Sequence, residues 1–188
     1  MHHAEFRQEK YDSGNPVVRG LIGRFFGRIG DVLGELAPAS VLDAGCGEGE
    51  MLRRISLPRG ARTVLLDRNP GSAAHIIGSV DALPFASESF DVVTCLEVLE
   101  HLPDPRPAAR ELGRVAKRAV VVSVPFEPYF RIGNVLRGKH LARLGDHPEH
   151  VQHWNLRTFG GFLMASFREV RVIEAFPWII ACCRPDRP

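Results

Sequence analysis

Apolar residues fall into two rhythms along this chain, and the rhythms take turns. Leu21, Ile22, Phe25, Phe26, Ile29, Val32 and Leu36 recur at helical spacing across Val17 to Leu36, which predicts an amphipathic helix. Pro38 stops it, and a series of short apolar runs follows that reads as strands. They are Ser40 to Asp43, Arg62 to Asp67, Ile76 to Val80, Phe90 to Cys95 and Ala119 to Val124. Helix-forming stretches lie between or beyond them at Glu50 to Ile55, Arg106 to Ala116 and Thr158 to Ala165. Val170 to Ala175 and Trp178 to Cys183 read as a closing antiparallel pair around Pro177. Strands alternating with helices predict an α/β fold, a mostly parallel sheet with helices on both faces.

Two connections break the regularity. The stretch from Asp67 to Asp81 leaves room for little more than a turn of helix, whereas Phe126 to Trp154 is long, irregular and scattered with Pro, Gly and His. Connections of that length inside a compact domain tend to carry function. The 188 residues, 45% hydrophobic and 24% charged, suit one globular domain with a real core. A net charge of +2 gives no global case for nucleic-acid binding. Lys10, Lys117 and Lys139 are the only lysines, a bias that fits genome composition better than phosphate recognition. Cys46, Cys95, Cys182 and Cys183 lack metal or redox spacing, so thiols in a reducing cytoplasm are expected. No apolar run is long enough to span a bilayer, and none resembles a signal peptide.

The densest chemistry lies where the first strand ends, in Val41-Leu42-Asp43-Ala44-Gly45-Cys46-Gly47-Glu48-Gly49-Glu50. Glycines at alternate positions let the backbone turn tightly and approach a ligand, and a helix N-terminus follows. The spacing differs from the dinucleotide fingerprint Gly-x-Gly-x-x-Gly, and no Tyr-x-x-x-Lys pair accompanies it. Acidic residues flank the glycines, which favours a ligand carrying positive charge over a pyrophosphate. S-adenosylmethionine, with an ammonium and a sulfonium, has that character.

Further carboxylates follow the next strands in order. Asp67 ends the second, where it can accept both hydroxyls of a ribose. Asp81, in Ser79-Val80-Asp81-Ala82-Leu83-Pro84-Phe85, can accept from an adenine amino group while its apolar neighbours flank the ring. Leu96-Glu97 ends the fourth strand, on the carboxyl edge where open α/β sheets bind ligands. Singly, each of these acids could be an ordinary turn or cap residue; their succession is what points to a nucleoside.

Val41 to Gly49, Leu66-Asp67, Asp81 to Phe85, Phe90 to Val93, Glu97 to Pro105 and the helix Ala109 to Val115 together resemble class I S-adenosylmethionine-dependent methyltransferases. The similarity is to the broad group that includes the ubiquinone and menaquinone biosynthesis enzymes. It covers positions 41 to about 125 and is specific for the superfamily rather than for a substrate. It implies a Rossmann-like, seven-stranded, mostly parallel sheet with the last strand antiparallel. It implies that Gly45, Gly47 and Gly49 hold the methionyl end of the cofactor, Asp67 its ribose, and Asp81 with Ala82 its adenine. Asp43, Cys46, Arg68, Leu96 and Glu97 are further cofactor contacts that the resemblance implies. The chain departs from the group in its short Asp67 to Asp81 connection, and in having Ala116-Lys117-Arg118 where a Gly-Gly turn is usual.

Residues 1–38 then read as a helical cap, and 126–156 as an insert over an acceptor site. Arg131, Arg137, Lys139, His140 and Arg143 occur in that insert without an acid until Asp146. The pattern suits an anionic or amphipathic acceptor or an anionic membrane surface, and equally a solvated loop. His101 is the first candidate for general base, with His150 and His153 behind it. Glu97-x-x-Glu100-His101 also resembles metal-dependent relatives, among them small-RNA 2′-O-methyltransferases, but the same run occurs in relatives without metal. The expected function is methylation of a small or lipid-like acceptor on oxygen or carbon. The rivals are metal-assisted methylation of RNA and non-catalytic binding of the cofactor.

Overall fold

In the computed structural model, residues 14–127, 129 and 151–186 are described. The first helix, α1 (Pro16–Leu36), starts at Asn15, whose side chain accepts from the Val17 N–H, with Pro16 in the first turn. It ends on Ala37 in the left-handed region, directly before Pro38. The chain continues as β1 (Ser40–Ala44), α2 (Glu50–Arg54), β2 (Arg62–Asp67), β3 (Ile76–Ile77), β4 (Phe90–Leu96), a 3₁₀ turn (Leu99–His101), α3 (Arg106–Val115), β5 (Ala116–Pro125), α4 (Leu156–Met164), β6 (Phe167–Ala175) and β7 (Trp178–Pro185).

The seven strands form one sheet in the order β3-β2-β1-β4-β5-β7-β6. Strands β1 to β5 pair in parallel, and β7 inserts antiparallel between β5 and β6. The sheet is therefore as the sequence predicts, with order reversing between β1 and β4. Alternate residues feed two cores. Val41, Val92, Val121 and Ile180 pack with Ile22, Phe25 and Ile29 of α1 and Met51 of α2. Leu42, Val93, Val122 and Ile179 pack with Leu112 of α3 and Phe159 and Leu163 of α4. Both faces being covered explains why the central strands are apolar throughout.

Three boundaries differ from the periodicity. Strand β3 stops after Ile77 rather than reaching Val80: the Gly78 N–H makes the last ladder bond, to the Asp67 carbonyl, and the chain then turns, with Ala82 N–H donating to the Ser79 carbonyl. Strand β5 begins at Ala116, since α3 runs into it with no intervening loop where Gly-Gly is usual. Strand β6 begins at Phe167, three residues early, with a register shift between Phe167 and Glu169. The expected turn of helix after Asp67 is a string of turns instead. The Ala73 N–H donates to the Gly47 carbonyl at 2.8 Å, and His75 pairs with Leu65. The shortened connection thus lies against the glycine turn itself.

Candidate functional site

At the carboxyl end of β1, Gly45, Gly47 and Gly49 all have positive φ, at 81°, 52° and 75°. A Cβ on Gly45 would stand 2.5 Å from Val98 Cγ2, so the turn and the loop after β4 touch where only glycine fits. The turn's donors are mostly consumed internally. Gly45 and Cys46 N–H groups both donate to the Leu66 carbonyl, Gly47 donates to Asp67 Oδ2 at 2.9 Å, and Gly49 donates to the Cys46 carbonyl. A turn that keeps so few N–H groups for a ligand is poorly built for a pyrophosphate. It suits a cationic ligand end, as the flanking acids suggest.

Asp43 before the turn and Asp67 beside it are buried, while Glu48 and Glu50 are half-buried. Asp43 accepts the Thr94 hydroxyl at 2.8 Å, and burial pushes its carboxyl up from an ordinary 3.8 to about 6 despite that bond; nearby Asp67 adds to the rise. The Cys46 thiol is pushed up to about 12 by burial and then by Asp43 and Asp67, so it stays protonated. Asp67 spends one lone pair on each of the Gly47 and Asn69 N–H groups. An ionised carboxylate has about four acceptor sites, which leaves capacity for a diol. Arg68 beside it is exposed, as are Asp81 and Ala82. The residues therefore fit S-adenosylmethionine: glycines where a side chain would intrude, then buried and exposed acids in succession along one edge.

The other side of the edge centres on Glu97. Its residue is buried in left-handed backbone, φ 58°, an uncommon state for a side-chain-bearing residue. Its N–H donates to the carbonyl and hydroxyl of Ser123 on β5. Its carboxylate accepts the Trp178 indole N–H at 2.8 Å. Trp178 in turn lies 4.8 Å, centroid to centroid, from Phe25 of α1. The Glu97 carboxylate is thus directed toward β5 and β7, while Leu96 before it is half-buried.

His101 is half-buried, its Nε2 3.9 Å from Oε1 of the buried Glu100. The Glu100 carbonyl accepts from Val151 and Gln152 N–H, which brings the returning chain to this turn. His153 is exposed, and Trp154 packs against Phe159 and Phe162. His150 and the basic run 131–143 lie outside the described residues. Among the described residues, no three His, Cys, Asp or Glu side chains converge as a metal group. Sequence reasoning missed Thr94, Ser123 and Trp178, which reach the site only through strand pairing. It also missed that Glu111 and Arg114 reach the Asp81 loop.

Residues 42–123 match the model of a methyltransferase domain. The ubiquinone biosynthesis O-methyltransferase of Hahella chejuensis is 41% identical over 92 residues, 41% of this chain and 38% of that protein. The enzyme of the same name from Pseudomonas syringae pv. tomato is 36% identical over 102 residues, 46% and 44% of the two chains. The chain thus spans about two-fifths of the length of these curated relatives. The PH0226 protein of Pyrococcus horikoshii shares the fold, with TM-score 0.66 over 97% of this chain and 99% of its own, at 15% identity. The methyltransferase-domain match thus runs from β1 to β5, under half of the chain, and the likeness to PH0226 is one of fold.

Proposed function

We propose that this chain transfers a methyl group from S-adenosylmethionine to a hydroxyl of a small, quinone-like or lipid-like acceptor. The observation that carries the reading is the succession at one sheet edge of the glycine turn, Asp67 and Asp81, with the buried Glu97 and the His101 turn beside it. The 36–41% identity to ubiquinone biosynthesis O-methyltransferases supports oxygen rather than carbon as the acceptor atom. No described helix is long and apolar enough to cross a membrane. The described thiols are all free, which supports a reducing compartment such as the cytoplasm.

In this reading the bound cofactor supplies an electrophilic methyl on a sulfonium. Gly45 to Gly49 admit its methionyl end, Asp43 supplying negative charge behind the turn. Asp67 orients the ribose and Asp81 with Ala82 the adenine. Aligning the acceptor can supply about 7–11 kcal/mol of the barrier. His101 takes the acceptor's hydroxyl proton at Nε2, and the Glu100 carboxylate 3.9 Å away stabilises the imidazolium that results. His153 is the second candidate base.

Calorimetric titration with S-adenosylhomocysteine tests the cofactor half of this reading. Micromolar binding to wild type that Asp67→Ala loses is expected; a well-folded wild type that binds none sinks it. Release of S-adenosylhomocysteine on offering a catechol probe separates enzyme from mere binder. If His101→Ala keeps that rate within about threefold at every pH, His101 is not the base.

A further inference from the structure

The residues given to adenine recognition, Asp81 and Ala82, sit on an exposed loop that no strand holds. Strand β3 ends four residues earlier, and Ala82 N–H makes only a long turn bond to the Ser79 carbonyl, 3.3 Å. What fixes the loop comes from a helix further along the chain. Glu111 of α3 accepts the Leu83 N–H on Oε2 at 2.9 Å. Arg114, one turn on, donates from its two terminal nitrogens to the carbonyls of Phe85 at 2.7 Å and Leu83 at 3.1 Å. The two side chains also bind each other in a fork, with Nε to Oε1 and Nη2 to Oε2 both at 2.7 Å. That pairing draws the Glu111 carboxyl below its usual range and keeps it an acceptor. Apolar anchors complete the hold: Leu83 is buried, and Phe85 meets Phe90 edge-on at 5.0 Å.

We infer that Glu111 and Arg114 are positioning residues for adenine selection, acting through the backbone of Leu83 and Phe85 to fix Asp81. Neither is needed to bury the helix, whose apolar face is Ala108, Ala109, Leu112 and Val115. A charged pair turned to a loop's main chain, with three loop groups satisfied by two side chains, determines where that loop lies. Removing Arg114 frees the Phe85 carbonyl and one side of Glu111 and leaves the Leu83 carbonyl only its local bond from the Phe85 N–H, so Asp81 and Ala82 can move while the glycine turn and Asp67 stay in place. The consequence is specific: the protein should lose its preference for adenine over a base that lacks the 6-amino donor, rather than its hold on the whole nucleoside.

This inference rests on the cofactor reading above. The test is calorimetric affinity for S-adenosylhomocysteine and S-inosylhomocysteine, in which the amino group is replaced by oxygen, on wild type, Arg114→Ala and the milder Glu111→Gln. Wild type should prefer the adenine ligand by about tenfold or more. Arg114→Ala should weaken that ligand about tenfold, leave the inosine ligand within about threefold, and so erase the preference; Glu111→Gln should do the same in part. Cooperative thermal unfolding of both variants shows whether they fold, and Glu111→Gln carries the test if Arg114→Ala does not. Equal loss of both ligands, or an unchanged preference, overturns the positioning role while leaving the cofactor reading standing. A folded wild type that binds neither ligand overturns the cofactor reading, and this inference with it.

Discussion

The two ends of the sheet's carboxyl edge are assembled by different means. On the β1 and β2 side, the glycine turn and Asp67 hold each other through backbone groups: Gly47 N–H to Asp67 Oδ2, Gly45 and Cys46 N–H to Leu66, Ala73 N–H to Gly47. On the β4, β5 and β7 side, Glu97 is set by side chains from distant parts of the chain, Ser123 and Trp178, with Phe25 behind the indole. The first arrangement needs a particular backbone, which only particular residues permit. The second needs only that a donor stand in the right place, and any chain that brings one there will serve.

The comparison breaks most severely at Gly45, where the halves touch. Gly45→Ala combines left-handed strain of ~1–2 kcal/mol with crowding of ~1–3 kcal/mol against Val98. A loss of about 4 kcal/mol in denaturant unfolding is expected, with S-adenosylhomocysteine binding weakened at least about tenfold. Adding Val98→Ala should recover the crowding part and leave the strain. Full recovery in the double variant means that the φ of 81° costs nothing and that the turn's shape is not what excludes other residues.

Asp43 sharpens the comparison from the cofactor side. Its carboxyl is raised from 3.8 to about 6 in the folded protein, so the native state binds the proton more tightly than the unfolded chain. The associated stability is fully present below about pH 3.8 and is lost as pH rises through about 6. Above that, the buried charge costs at most about 3 kcal/mol. Asp43→Asn retains an acceptor for the Thr94 hydroxyl and never carries the charge. The variant should be the more stable protein at pH 7.5, by an increment that opens between about pH 4 and 6 and is flat above about 7, while binding S-adenosylhomocysteine more weakly. Chemical unfolding from about pH 4 to 8 measures it; a pH-independent difference would place the cause in packing, not ionisation.

The same division explains what could be read in the sequence. The glycine turn and Asp67 were legible because each follows its own strand, and a strand's end is visible in apolar periodicity; Asp81 was read as following a strand that in fact ends four residues before it. The mostly parallel sheet and its closing antiparallel pair followed from the alternation and the Pro177 turn, whereas the insertion of β7 between β5 and β6 is visible only in the structure. Strand β3 was overextended, because Gly78 and Ser79 look extended and only the bond from Ala82 N–H to the Ser79 carbonyl shows the chain turning. Ser123 and Trp178 were invisible as site residues: a serine in Val-Val-Val-Ser-Val and a tryptophan opening an apolar strand read as sheet. Their bond partners lie 26 and 81 positions away, and no local pattern encodes such a pairing. Glu111 and Arg114 were visible as part of a family-like helix, though not as ligands of a loop more than twenty residues upstream.

Trp178→Phe gives the mildest perturbation and the cleanest separation of the two halves. It keeps an aromatic ring against Phe25, removes the N–H that Glu97 Oε2 accepts and gives up the five-membered part of a buried indole. A hydrogen bond to a buried carboxylate is worth about 1.5–3 kcal/mol, and Ser123 remains as a second, longer contact at 3.5 Å. With the lost packing added, a stability loss of about 2 kcal/mol is expected. Affinity for S-adenosylhomocysteine should stay within about twofold, because none of the bonds around Gly47 and Asp67 involves Trp178. Methyl transfer to the acceptor should fall by more than binding does, since the released carboxylate no longer has one direction. If instead cofactor affinity falls together with turnover, Glu97 acts at the shared centre of the edge, and the division between its two halves lies further toward β5.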